Sequence, residues 1–162
     1  MPDDTLHRTD IVTWSRQQAE RLRRHVAGER VNDLDWEHVI EEIEDLGSSE
    51  IAQVASLLLQ AMIHALKIAR WPESPAVPHW YGEAMTFLDQ AQDRYRPSMA
   101  QHLDPERRFA RARRVVLGLP PQGGPDRAIP DRLAPTLAAL MDEEADLRGL
   151  IDAIGHAPSN GP

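Results

Sequence analysis

From Ile51 to Ala69 the chain reads IAQVASLLLQAMIHALKIA, an apolar run interrupted only by Gln53, Ser56, Gln60, His64 and Lys67. At roughly 100° per residue these five side chains fall on one narrow arc, and nearly everything else around the helix is apolar. A helix of that kind must be covered by others. A membrane span needs about 20 mostly apolar residues, and the polar side chains here speak instead for a buried helix of a soluble protein. The run is therefore expected to be the central helix of its domain, over about residues 49–70.

The rest of the composition agrees with a helical surround. Leu and Ala are plentiful, only 5% of residues are aromatic, and runs of Val, Ile and Thr are missing. The expected fold class is all-α: a compact helical bundle of about five to seven helices around the apolar one. The absence of cysteine excludes disulfides, thiolate metal sites and cysteine nucleophiles. A formal net charge of −8 argues against a generic nucleic-acid coat, which works by neutralising phosphates. MPDDTLHRTD lacks a basic-then-apolar leader pattern, so cytoplasmic residence with no membrane association is expected.

Pro, Gly and capping residues divide the chain. A first helix is expected from about Asp10 to Val26, closing near Gly28, and a second from Asp35 to Leu46, with Gly47 as a left-handed terminator. Ser48 or Ser49 would then cap the central helix, which ends before Pro72. A further helix is expected over about His79–Tyr95, then a short turn at Pro97-Ser98-Met99. Asp104-Pro105-Glu106 is a strong start signal for a helix to about Leu117. Leu119–Pro130 reads as loop, Pro135–Ile154 as the last helix, and 155–162 as a disordered tail behind a single domain, 1–154.

Three segments carry a family resemblance. Asp10, Trp14, Gln18, Ala19 and Leu22 form one spaced pattern. Leu34-Asp35, Ile40-Glu41-Glu42-Ile43-Glu44, Leu46-Gly47 and Ser49-Glu50 form the most specific one, and LLLQAMIHALKIARWPE is the third. Together they resemble the domain of unknown function 29 family of small bacterial proteins, over about Leu6–Met141. The chain departs from the family pattern at Ile68, where a Trp is usual, and at Tyr81, where an Arg is usual. The resemblance implies an all-helical cytoplasmic domain and no particular chemistry.

Two charged constellations stand out. Glu37, Glu41 and Glu44 share one flank of the second helix beside a stripe of Trp36, Val39, Ile40, Ile43 and Leu46 that is expected to be buried. With His64, and with His79 nearby, these glutamates could form a divalent metal site of a hydrolytic or redox enzyme, because helical bundles build such sites from inward carboxylates and imidazoles. The Glu-x-x-His spacing of that design is missing, however. The plainer expectation is that Arg23, Arg24, Arg111 or Arg113 pairs with the glutamates, and that His64 hydrogen-bonds Glu41 or Glu44.

The second constellation is RRFARARR, in which Arg107, Arg111 and Arg114 share a helical face with Arg113 at its edge. It could contact nucleic acid or an acidic protein; with its one aromatic, Phe109, expected on the buried side, internal pairing with the second helix or with Asp142, Glu143, Glu144 and Asp146 is the plainer expectation. Trp71, His79, Trp80 and Tyr81 crowd a Pro-rich corner, and Trp80 joins the arginines as a candidate contact residue. No catalytic set is recognisable, so the leading expectation is a non-enzymatic interaction module. Its partner would be another protein or a second copy of itself.

Overall fold

Capping residues set most of the helix starts. Asp10 accepts the Thr13 amide at 3.0 Å, Asp104 the Arg107 amide at 3.0 Å, and Asp146 the Arg148 amide at 3.1 Å. Each satisfies an amide that the first turn leaves without an intrahelical partner. The computed structural model describes residues 4–158. Its helices are α1 (Asp4–Thr9), α2 (Ile11–Val26), α3 (Trp36–Arg70), α4 (Val77–Arg94), a 3-10 helix (Pro97–His102), α5 (Pro105–Leu117), α6 (Leu137–Leu140) and α7 (Leu147–Gly155). No strand occurs among the described residues, and the architecture is all-helical.

Two expected boundaries are corrected. Gly47 does not end a helix: α3 runs unbroken through it for 35 residues. Glycine in a helix interior costs only about 1 kcal/mol, and Gly47 is not among the glycines of positive φ. Ser48 is no cap either, since its hydroxyl donates back to the Glu44 carbonyl at 3.3 Å. The last helix, in contrast, is broken. Between α6 and α7, Asp142 accepts the Glu144 amide at 3.0 Å and Asp146 caps α7. Short acidic side chains competing for backbone amides open the helix into a turn there. Gly155, placed in the tail by sequence, closes α7, and residues 159–162 of that expected tail lie outside the described residues.

The chain folds as two compact units, one ending at Ser49 and one beginning at Glu50. In the first, α1 lies against α2, and Trp14, Leu34 and Val39 form a small core with Leu6, Leu22 and Val31 partly buried around it.

The second unit is built on the C-terminal part of α3, where Val54, Leu58, Met62 and Leu66 are fully buried. Trp71, Leu88, Phe109, Val116, Leu140, Ile151 and Ile154 complete its core. Full burial of each such side chain contributes about 1.5–3 kcal/mol. The polar arc read from the sequence faces outward: Gln53 and Ser56 are exposed, and Gln60, His64 and Lys67 are half-buried. α3 has the length and composition of a membrane-crossing helix, but 44% of its most apolar window is buried within the protein.

The loop after α5 is tied back onto the end of α3. Arg70 donates to the Val116 carbonyl and to Asp126, both at 2.6 Å, and the Trp71 indole N–H donates to Asp126. These bonds from Arg70 and Trp71 hold the Asp126 carboxyl below the usual aspartate range. Gly123 and Gly124 have φ of +96° and +82°, which only glycine adopts freely, and a Cβ on Gly124 would sit 3.1 Å from Glu73 Cβ.

Candidate functional site

A buried polar network decides which face of α3 is covered in the first unit. Asp35, just before α3, is buried; its Oδ2 accepts the Trp14 indole N–H at 3.2 Å and lies 2.8 Å from His38 Nδ1. The Asp35 amide donates to Gln18 Oε1 at 3.0 Å. His7 Nε2 lies 2.7 Å from Glu42 Oε1, and the His7 and His38 rings stack with centroids 4.2 Å apart.

Burial opposes ionisation of Asp35, but hydrogen bonds from His38 and Trp14 outweigh it and hold its carboxyl below the usual range. Among the described residues, His38 pairs with Asp35 and His7 with Glu42. Sequence reasoning placed such a pair at His64. The available signal was Trp14, Gln18 and Asp35 themselves, each a strong hydrogen-bonding side chain within a spaced motif.

Because Val39, His38 and Glu42 face inward, the rest of the amphipathic stripe faces out. Trp36 is 49% exposed, Ile40 53%, Ile43 67% and Leu46 71%, against 8% for Val39. The expectation that all five would be buried holds only for Val39. Trp36, Ile40 and Ile43 fall within one sector of the helix, and Glu37, Glu41 and Glu44 border it, all exposed. No Lys or Arg occurs between Val31 and Leu66.

The result is an apolar stripe edged with carboxylates. Arg23 and Arg24, expected to pair with those glutamates, instead bind Glu20 at 3.2 Å and Glu29 at 2.7 Å. Among the described residues Glu37, Glu41 and Glu44 form no ion pair, and no three His, Asp or Glu side chains are arranged to hold a metal ion. His64 follows these glutamates on the same uninterrupted helix, not on a facing one.

His64 Nδ1 lies 2.8 Å from the Gln60 carbonyl rather than from a carboxylate, and its ring packs on Phe87 with centroids 5.6 Å apart. Burial lowers its pKa from the usual 6.5, with the Gln60 carbonyl opposing. Trp80 is buried, beneath the Lys67 ammonium at 4.4 Å, and offers no surface for contact. Tyr81 donates to Asp152 and carries the Arg148 guanidinium over its ring at 4.4 Å. Burial and Asp152 together raise the Tyr81 pKa.

α5 presents the opposite charge. Phe109, Ala112 and Val116 are buried, which turns Arg107, Arg111 and Arg114 outward, with Arg108 half-buried beside them. They line a shallow open depression on the outer face of the helix. Among the described residues none of these four guanidiniums forms an ion pair, so the expected internal pairing with Asp142–Asp146 is not found. Arg113 is separate from the ridge: its Nε donates to the Pro130 carbonyl at 3.0 Å.

The model for the domain of unknown function DUF29 matches residues 6–145. The chain belongs to the DUF29 family. Trp14, Gln18, Asp35 and the acid-edged stretch of α3 all lie within the matched span. Among solved structures, this DUF29 chain is similar to an alpha-helical protein of unknown function from Rhodospirillum rubrum ATCC 11170. The two are 26% identical, with a TM-score of 0.64 over 93% of this chain and 98% of that one. A comparison with curated proteins gives no match.

Proposed function

We propose that this DUF29 chain is a non-enzymatic, cytoplasmic protein-interaction module whose contact surface is the exposed half of the α3 amphipathic stripe. The observation that carries the reading is the exposure of Trp36, Ile40, Ile43 and Leu46 along a helix whose opposite face is fixed by the Trp14–Asp35–His38 network. Single exposed apolar residues are ordinary, but neighbouring ones along one helix face, one of them a Trp, match the composition of interface cores. The rim of glutamates supplies register and discrimination between partners.

A paired pull-down from the native host tests this, using the wild-type chain and the double variant Ile40→Asp, Ile43→Asp. Both positions are exposed, so helicity by circular dichroism is expected to be unchanged. The expected result is a protein recovered by the wild type, insensitive to nuclease, and lost with the variant. Equal recovery with both chains, or none with either, rejects the surface.

A further inference from the structure

The two unpaired charged ridges of this molecule match each other. Glu37, Glu41 and Glu44 on α3 and Arg107, Arg111 and Arg114 on α5 step along their helices with the same i, i+4, i+7 spacing. Each ridge is therefore about 10 Å long at 1.5 Å rise per residue. All six side chains are exposed, and none forms an ion pair among the described residues.

Apolar surface accompanies each ridge. The glutamates border Trp36, Ile40 and Ile43, and the arginines lie beside Ala110 and Leu117 on one side and Val115 on the other; all of these are exposed. Reversing one helix changes the order of steps from four-then-three to three-then-four. The two ridges thus pair within one residue in either relative direction.

We propose that the occupant of the α3 stripe is a second copy of this chain, presenting the arginine ridge of α5. The proposal rests on the interaction-module reading above and names its partner. Like-with-like contact between two α3 faces would oppose carboxylates over a stretch that has no cation of its own. Contact between α3 of one copy and α5 of the next instead gives each glutamate a guanidinium and covers Ile40 and Ile43 with an apolar edge of α5, Ala110–Leu117 when the helices run antiparallel and Val115 when they run parallel. Made reciprocally it closes a two-fold dimer; made once per copy it extends into a chain of copies. Nucleic acid is the less favoured occupant of the ridge, because the one aromatic among the arginines, Phe109, is buried and the whole chain carries −8.

The test is the mass in solution of the purified full-length protein, by sedimentation equilibrium at low and high salt. Two charge-reversed variants are included: Arg107→Glu, Arg111→Glu, Arg114→Glu, and Glu37→Arg, Glu41→Arg, Glu44→Arg. The wild type is expected to self-associate, more weakly at high salt. Each triple variant should weaken by about tenfold or more, and an equimolar mixture of the two should regain association because every contact is again complementary. If a triple variant loses helicity, the single pair Arg111→Glu and Glu41→Arg serves the same design.

A monomeric wild type overturns the proposal, as does an assembly that both variants leave unchanged. A monomer whose ridge binds a labelled oligonucleotide with steep salt dependence overturns it in favour of nucleic acid. A monomeric wild type whose pull-down still depends on Ile40 and Ile43 removes the second copy as partner but leaves the interaction module standing. Loss of that dependence removes the module itself.

Discussion

Asp35 is the residue on which the first unit turns, because it joins the first half of α2 to the start of α3: its carboxylate holds Trp14 and His38 and its amide holds Gln18, in a buried place. Its folded pKa lies below the ordinary 3.8, so the folded state takes up the proton less readily than the unfolded one. The stabilisation is complete above 3.8 and is lost as pH falls through the lower folded value. Asn keeps the shape but removes the charge, and a hydrogen bond to a charged group contributes about 1.5–3 kcal/mol. Asp35→Asn is accordingly expected to lower the protection of the Val39 amide against hydrogen exchange at neutral pH. The difference between variant and wild type should shrink below pH 3.8. A difference independent of pH would show that packing, not the carboxylate, holds this junction.

At the scale of elements, Gly47 carries the sharpest prediction. A Cβ added there meets nothing within 4 Å, and its φ is not positive. Gly47→Ala should therefore stabilise the protein by about 0.5–1 kcal/mol, read as a higher urea midpoint with unchanged slope. Had Gly47 closed a helix in the left-handed conformation, the same substitution would destabilise.

The element also shows what a sequence can and cannot declare. α5 was legible from Asp104-Pro105-Glu106 and α2 from Asp10, because caps are local chemistry and need no knowledge of neighbours. The outward arc of α3 after Glu50 followed from periodicity. Gly47 misled because Gly is enriched just past helix ends, yet its interior penalty is small and the helix continues through it. Met141–Asp146 misled in the other direction, since good helix formers there lost to side chains that cap locally. As for the candidate surface, its residues were all visible, but amphipathic spacing reads the same whether a stripe is covered or open. Only the inward anchoring of His38, Val39 and Glu42 shows that Trp36, Ile40 and Ile43 are open.

Across the whole molecule, burial is divided unequally between the two units. Among the described residues the first rests on three buried apolar residues and one polar network, while the second holds most of the buried apolar side chains. Local opening free energies follow buried apolar contacts, so the units should not share one opening event. Native-state hydrogen exchange is expected to show amides of α2 and of α3 up to Leu46 exchanging through an opening well below global stability. Amides around Leu58, Met62 and Leu66 should exchange only on global unfolding. Leu58→Ala, at a fully buried position, should cost about 2–5 kcal/mol and lower the protection of the second group by that amount, leaving the first untouched until the two values cross. Uniform protection along α3 would mean that the helix transmits the stability of its buried half into the acid-edged half. The contact surface would then be a rigid template. With unequal protection the stripe sits on the more easily opened unit, and covering it with a partner should raise the protection of the α2 and early α3 amides first.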